Sequence, residues 1–117
     1  MTYAARRARG RFGEELAARA YQRSGYAVLA RNWRTSGGEL DLVVAPDDRS
    51  VIVFVEVKAR ASEQFGRPEL AVDRAKQQRI RRLAVAWMRA NGVRSDRVRF
   101  DVAAVVGGHL RLVRDAF

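Results

Sequence analysis

The chain has 117 residues, of which 48% are hydrophobic, and this length and composition predict one globular domain covering residues 1–117. It contains no cysteine and one histidine, which excludes disulfides, thiolate metal sites and histidine-based metal clusters. The net charge of +10 favours a polyanionic partner such as DNA, RNA or an anionic membrane surface. The alternative is a basic surface that binds no partner.

The sequence does not predict membrane insertion. Apolar runs such as residues 51–55 are far too short to cross a bilayer. The basic N-terminus is not followed by the apolar stretch of a signal peptide. We therefore expect a cytoplasmic protein without a membrane partner.

The first half of the chain has the pattern of one helix and three strands. Residues 4–24 repeat with a helical period, and Gly25 is expected to end the helix. The predicted apolar face of this helix holds Phe12, Leu16, Ala20 and Tyr21. Apolar and β-branched residues then predict three strands, at residues 26–33, 39–45 and 51–58.

The second half begins with a loop and a long helix, predicted at residues 69–91 and ended by Gly92. The predicted apolar face of this helix holds Val72, Ile80, Leu83, Ala84 and Trp87. A strand at residues 98–106 and a short final strand at residues 110–113 follow, joined by a Gly-Gly turn. The order αβββαβ, with one small extra strand, predicts an α/β domain with a mixed sheet flanked by helices.

The turn at residues 46–50 determines which charged side chains share a face of the second hairpin. With the turn centred on its middle residues, Asp41 faces Glu56 and Glu39 faces Lys58, all on one face. Directly opposed carboxylates repel each other, and a divalent cation between them is the simplest compensation. The alternative is a set of ordinary charges at the solvated end of a hairpin. The other face is expected to be core and holds Leu40, Leu42, Val44, Val51, Val53, Val55 and Val57.

The residue types limit the chemistry of such a site. Without cysteine or a second histidine, carboxylates and carbonyls must hold any metal, which favours Mg²⁺ or Mn²⁺. Such an ion can polarise a phosphodiester and lower the pKa of a bound water. Lys58 is one of only two lysines among 23 basic residues. Its proton affinity should fall beside a metal, as a general base near neutral pH requires.

Several segments carry a resemblance to known proteins. Gly38-Glu39-Leu40-Asp41 and Val55-Glu56-Val57-Lys58-Ala59-Arg60 resemble the D…(E/D)-x-K signature of restriction-endonuclease-like nucleases, whose core has a similar αβββαβ order. Over about residues 9–106 the chain also resembles the YraN family of small bacterial proteins. The further motifs that match this family are Gly10-x-x-Gly13-Glu14, Phe65-Gly66 and Arg99-Phe100-Asp101-Val102.

The resemblance implies a role for each residue of the hairpin site. Asp41 and Glu56 would bind Mg²⁺ or Mn²⁺, and the backbone carbonyl of Val57 would complete the metal's ligand shell. Lys58 would orient or deprotonate the attacking water, or stabilise the charge that develops on the phosphate. From the first helix, Glu14 would add a ligand or hold a metal-bound water.

The resemblance also implies a function. The family's similarity to archaeal Holliday-junction resolvases implies a metal-dependent nuclease that hydrolyses phosphodiester bonds in DNA, with branched or repair intermediates as candidate substrates. Junction-cutting relatives usually act as dimers, so a homodimer is an open alternative to a monomer. The alternative function is a non-catalytic nucleic-acid-binding accessory protein, and a membrane-surface or scaffold protein is a third interpretation.

Other residues are candidates for contacts around the site. Four basic residues are expected to contact nucleic acid, unless they are solvated surface cations: Arg9, Arg11, Arg60 and Lys76. Glu39 is expected to support Lys58, and Asp101 either supports the site or pairs with a local arginine. Trp33 and Trp87 could stack on bases, although Trp87 lies on the predicted core face of its helix.

Overall fold

A computed structural model describes residues 2–62, 64, 66–67 and 71–117. The elements in chain order are α1 (Tyr3–Arg23), β1 (Tyr26–Thr35), β2 (Gly38–Pro46), β3 (Ile52–Arg60), α2 (Arg74–Ala90), β4 (Val98–Val106) and β5 (His109–Val113). The five strands form one sheet in the order β1-β2-β3-β4-β5. Neighbouring strands are antiparallel except β3 and β4, which are parallel.

The connections explain this topology. Antiparallel neighbours are joined by short turns, whereas the parallel pair needs a crossover, which α2 supplies. The predicted α/β class, the αβββαβ order and the mixed sheet are therefore confirmed. Within the described part of the chain, neither helix has the length and apolarity needed to cross a bilayer.

Each helix covers one face of the sheet and has its own core cluster. The α2 cluster joins Ile80, Leu83 and Trp87 to sheet residues that include Phe54, whose ring meets that of Trp87 edge-on at 5.8 Å. The α1 cluster joins Tyr21 and two alanines to aliphatic residues on the opposite face. Both faces of the sheet are therefore buried, and the predicted apolar face of α2 is confirmed.

The start of α2 differs from the prediction. The helix begins at Arg74, and the Asp73 side chain caps it by accepting a hydrogen bond from the backbone N–H of Lys76 at 2.9 Å. An aspartate at this position satisfies a backbone donor that has no partner within the helix. Val72 is buried but precedes the helix, and the predicted start at residue 69 lies outside the described residues.

The predicted apolar face of α1 is wrong at Phe12, which is 54% exposed, and right at Tyr21, which is fully buried. Small residues face the sheet instead, because α1 lies very close to it. A Cβ atom added at Gly13 would lie 3.1 Å from the Cβ of Ala59 on β3. A bulky side chain on this face would push the helix away from the sheet.

A buried carboxylate links α1 to β4 and to the C-terminal segment. Asp101 on β4 is fully buried and accepts hydrogen bonds from the Tyr21 hydroxyl at 2.6 Å, from Arg99 Nε at 2.9 Å and from the Asp115 backbone N–H at 3.0 Å. The expected pairing of Asp101 with a local arginine is confirmed. These contacts place Asp101 in a structural network of α1, β4 and the C-terminal segment.

The hairpin of β2 and β3 has the predicted register, since Leu42 pairs with Val55 and Val44 with Val53. One detail of the predicted core face is wrong. Leu42 packs on the α1 side, but Leu40 packs on the α2 side. The strand therefore changes face between these residues, at Asp41, where strict alternation would have kept both leucines on one side.

Candidate active site

The site lies where β2 and β3 separate. Their backbone pairing extends to Leu42 and Val55, and one step further the Asp41 carboxylate replaces the backbone as acceptor. Its Oδ2 atom accepts a hydrogen bond from the Val57 N–H at 2.9 Å. This contact anchors Asp41 to β3 and leaves its carboxylate beside Glu56, the residue that precedes Val57 on that strand.

Asp41 and Glu56 come into contact, as the predicted register requires. Burial and the negative charge of Glu56 together raise the pKa of Asp41 to about 8, although the hydrogen bond from the Val57 N–H acts in the opposite direction. A protonated Asp41 also donates a hydrogen bond to Glu56, which favours the neutral form. Glu56 is itself buried, with 9% of its surface exposed. The two carboxyl groups therefore favour a positive species, a proton or a cation, between them.

Glu14 approaches the pair from α1. Burial raises the pKa of Glu14, and the charges of Glu39 and Glu56 act in the same direction. A hydrogen bond from the Asn32 side chain opposes this shift. The structure thus places the helix carboxylate near enough to the hairpin pair for their charges to interact.

Asn32 on β1 is a site residue that the sequence patterns missed. Arg31 pairs with Leu42 and Trp33 with Leu40, so Asn32 stands opposite Asp41, at the point where β2 changes face. Its φ of 50° is in the left-handed region, which asparagine tolerates better than most residues. The available signal was an asparagine within a strand pattern, which is unusual in a strand interior.

Two lysines complete the site from the α2 side of the sheet. Lys76 Nζ lies 3.5 Å from Glu56 Oε1. Burial lowers the pKa of Lys58, and a hydrogen bond with Lys76 and the charge of Lys76 lower it further. Lys76 reaches the site because Asp73 caps α2 three residues earlier and so places Lys76 in the first turn. It is therefore part of the centre, although it was expected only as a nucleic-acid contact or a surface cation.

A cleft of about 630 Å³ opens above the carboxylates between α1 and the β1–β2 hairpin. Glu14, Glu39 and Asp41 contribute the acidic part of its lining, and Arg7 and Arg11 are among its basic residues. Such a distribution suits an anionic group that bridges an arginine and a cation held by the carboxylates.

Glu39 has another partner than the one expected. Glu39 forms an ion pair with Arg34 across the β1–β2 hairpin, at 3.2 Å, rather than the expected contact with Lys58. Glu15, the neighbour of Glu14, pairs with Arg19 at 3.0 Å and with Arg31 at 2.7 Å.

The remaining predicted contacts are divided between two places. Arg11 lines the carboxylate cleft, whereas Arg9 and Arg60 line a second cleft on the other side of α1. Trp33 is partly buried against the α2 core cluster and Trp87 is 3% exposed within it. Trp87 is therefore a packing residue, as expected.

The donor set suits a hard divalent ion with few protein ligands. Among the described residues, no group of three or more His, Cys, Asp or Glu side chains is placed to hold a metal ion. The contact between Asp41 and Glu56 provides two carboxylates, and Mg²⁺ is commonly held by one or two carboxylates together with water and substrate phosphate. Burial and mutual repulsion both disfavour two negative charges on Asp41 and Glu56. An ion between the two carboxylates would relieve this repulsion.

Fold and site together define the class of protein: an α/β domain with an αβββαβ core that carries a carboxylate–lysine centre on the central hairpin. Comparison with known families then identifies the chain. A family model described as "Uncharacterised protein family UPF0102" matches residues 13–105, so the chain belongs to this family, and the resemblance to the YraN family is confirmed.

Relatives support the same assignment over nearly the whole chain. A UPF0102 protein of Rhodococcus jostii is 48% identical over 113 residues, covering 92% of this chain and 94% of the relative. One from Desulfosudis oleivorans is 40% identical over 110 residues, covering 92% and 88%. One from Mycolicibacterium gilvum is 48% identical over 96 residues, covering 82% and 78%.

Proposed function

We propose that this protein is a metal-dependent nuclease that hydrolyses phosphodiester bonds in DNA. The observation that carries the proposal is the contact of the partly buried Asp41 with the buried Glu56, and Lys58 lies two residues beyond Glu56 on the same strand. Structural ion pairs also perturb pKa values. However, two carboxylates in contact, one of which lines a cleft that also contains arginines, are typical of a functional site.

In this proposal Mg²⁺ or Mn²⁺ would be held by Asp41, Glu56 and the backbone carbonyl of Val57, and Glu14 would hold a metal-bound water rather than bind the ion directly. The bound ion would polarise the phosphodiester and make a water molecule more acidic. The protein would supply the rest of the environment. The Val57 N–H fixes the Asp41 carboxylate, and Asn32 orients Glu14.

The two lysines would divide the remaining tasks. Burial and the neighbouring Lys76 lower the pKa of Lys58, which is the direction that a general base for the attacking water requires. Lys76 has 27% of its side chain exposed beside Glu56. It would present a positive charge to the phosphate oxygens, while Arg11 in the cleft would hold an adjoining phosphate.

Cleavage assays on purified variants test this proposal. Lys58→Ala and Glu56→Gln should each reduce Mn²⁺-dependent cleavage of DNA at least about a hundredfold, because each removes a group that acts in the transition state. Arg94→Gln, which changes an exposed residue near the C-terminal end of α2, is the control and should cut like the parent. If the Lys58 and Glu56 variants also cut like the parent, the observed cleavage belongs to a contaminant and the proposal is wrong.

A non-catalytic nucleic-acid-binding accessory protein is the second candidate. The observation that favours it is the ion pair between Lys76 and Glu56, which gives this carboxylate a cation without any metal. Calorimetric titration with Mn²⁺ separates the two candidates. A nuclease should bind the ion, with binding lost in Asp41→Asn, whereas an accessory protein should bind nucleic acid and show no metal binding at this site.

A further inference from the structure

Phe12 has an environment that neither the fold nor the proposed chemistry explains. It lies in the middle of α1, is 54% exposed, and is one of four exposed large hydrophobic side chains among the residues that the structure describes. Its neighbours in sequence include Arg9 and Arg11. A large aromatic side chain left in water costs free energy, which suggests that a ligand covers it.

Phe12 lines a cleft of about 430 Å³ together with Arg9 and Arg60. The opposite wall is the turn Gly107-Gly108, whose φ values of 56° and 82° both lie in the left-handed region. Glycine at both positions leaves bare backbone there, so a flat group can approach the Phe12 ring closely. The cleft therefore combines an aromatic surface, two guanidinium groups and a stretch of backbone without side chains.

The cleft is separate from the carboxylate cleft, and one of its lining residues, Arg60, lies on the strand that carries Lys58. Phe12 and Glu14 are two residues apart on α1, so their side chains leave the helix about 200° apart. The two clefts accordingly lie on opposite sides of α1. Arg60 lies two residues beyond Lys58 on β3, so a strand bound near Lys58 could continue into the Phe12 cleft.

We propose that this cleft, lined by Phe12, Arg9 and Arg60, is a binding subsite for an unpaired nucleotide of single-stranded DNA. The Phe12 ring would stack on the base, and the two arginines would contact the adjoining phosphates. A base within a duplex has both faces covered by its neighbours, so the Phe12 ring selects single-stranded over double-stranded substrate. The flanking positive charges favour this occupant over an apolar protein segment, which would have to desolvate both arginines.

The proposal deepens the proposed function, since it names the substrate class, but its test measures binding and not cleavage. Affinity for a labelled oligothymidylate and for a blunt duplex of equal length is measured by fluorescence anisotropy in EDTA, on the full chain. Phe12→Leu, which keeps an apolar side chain and removes the ring, should weaken single-strand binding about tenfold. Duplex binding should change less than about twofold, because phosphate contacts supply it.

Two further variants keep the test specific. Phe12→Trp should bind the oligothymidylate at least as tightly as the parent, because an indole stacks at least as well as a phenyl ring. Val85→Ala removes an exposed apolar side chain from α2 and should leave both affinities unchanged. Thermal melts of all variants should show that each one folds.

Three results would overturn the inference. These are a parent that does not bind the oligothymidylate, a folded Phe12→Leu variant that binds it as tightly as the parent, and a parent dimer that Phe12→Leu dissociates. The last result would make Phe12 a contact between protomers. Failure of the nuclease proposal alone would give a different result. Single-strand binding would still depend on the Phe12 ring, while the Lys58 and Glu56 variants would leave cleavage unchanged.

Discussion

Asp41 makes the stability of the fold depend on pH. Its pKa rises from an ordinary 3.8 to about 8 in the folded chain, so the folded state keeps a proton that the unfolded state releases between these values. The folded state then binds more protons than the unfolded state, and the free energy of unfolding falls as the pH rises through this window. Near neutral pH, burial of the carboxyl group therefore destabilises the fold.

Replacing Asp41 by asparagine should stabilise the metal-free protein. The amide oxygen can still accept the Val57 hydrogen bond, while the repulsion from Glu56 disappears. We expect the melting temperature of Asp41→Asn to exceed that of the parent by about 3–8 °C near pH 8, and by much less near pH 5. Calorimetric melts over this pH range provide the measurement.

Asp48→Asn is the matched control. Asp48 is exposed, and a hydrogen bond from the Ser50 N–H lowers its pKa, so its replacement should not stabilise the protein at any pH. Asp41→Asn melts that follow the parent at every pH would mean that the carboxyl group is not destabilised by its surroundings.

At the scale of elements, the position of α1 depends on small residues. Gly13 faces β3 so closely that an added Cβ would lie 3.1 Å from the Ala59 Cβ and 3.4 Å from Val57 Cγ1, whereas Gly10 has open space at the same atom. The sheet cannot easily yield at this point, because β3 is held between β2 and β4. This contact places Glu14, the next residue of the helix, near the carboxylate pair.

The two glycines therefore form a matched pair for mutation. Gly10→Ala should raise the free energy of unfolding by about 0.5–1 kcal/mol, since alanine favours the helix and meets nothing. Gly13→Ala should lower it by about 1 kcal/mol, because overpacking against β3 exceeds the gain in helix propensity. Urea denaturation measures both, and a Gly13→Ala variant as stable as Gly10→Ala would show that α1 can move away from the sheet without cost.

At the scale of the whole molecule, positive charge is the dominant property. The chain carries 23 basic and 13 acidic residues, and each of the two clefts beside α1 contains arginines. Arg11 lines the carboxylate cleft, whereas Arg94 lies in a different cleft near the C-terminal end of α2. A polyanion that binds at the proposed site should therefore contact Arg11 and not Arg94.

Binding of DNA should accordingly weaken linearly as the logarithm of the salt concentration rises, through release of counterions. Arg11→Gln should reduce the slope of this plot by about one phosphate contact, and Arg94→Gln should leave it unchanged. Anisotropy titrations in EDTA at several salt concentrations measure both slopes. Equal slopes for the parent and both variants would place the binding surface elsewhere.

The sequence by itself determined the order of the elements, the mixed sheet and the hairpin register. These features depend on local signals: hydrophobic periods, glycines at turns, and a turn whose length sets which residues of β2 and β3 face each other. The register was sufficient to place Asp41 opposite Glu56. The apolar face of α2 was also readable, because large aliphatic residues recur there at helical spacing.

The tertiary structure alone decided how the site is completed and which face of α1 is buried. β2 changes face at Asp41, opposite the left-handed Asn32 of β1, and no local period predicts such an irregularity. Lys76 reaches Glu56 because α2 crosses from β3 to β4, a contact between residues distant in sequence. Phe12 is exposed because α1 approaches the sheet through Gly13. Hydrophobicity alone favours burying a phenylalanine, whereas the distance between helix and sheet requires a glycine.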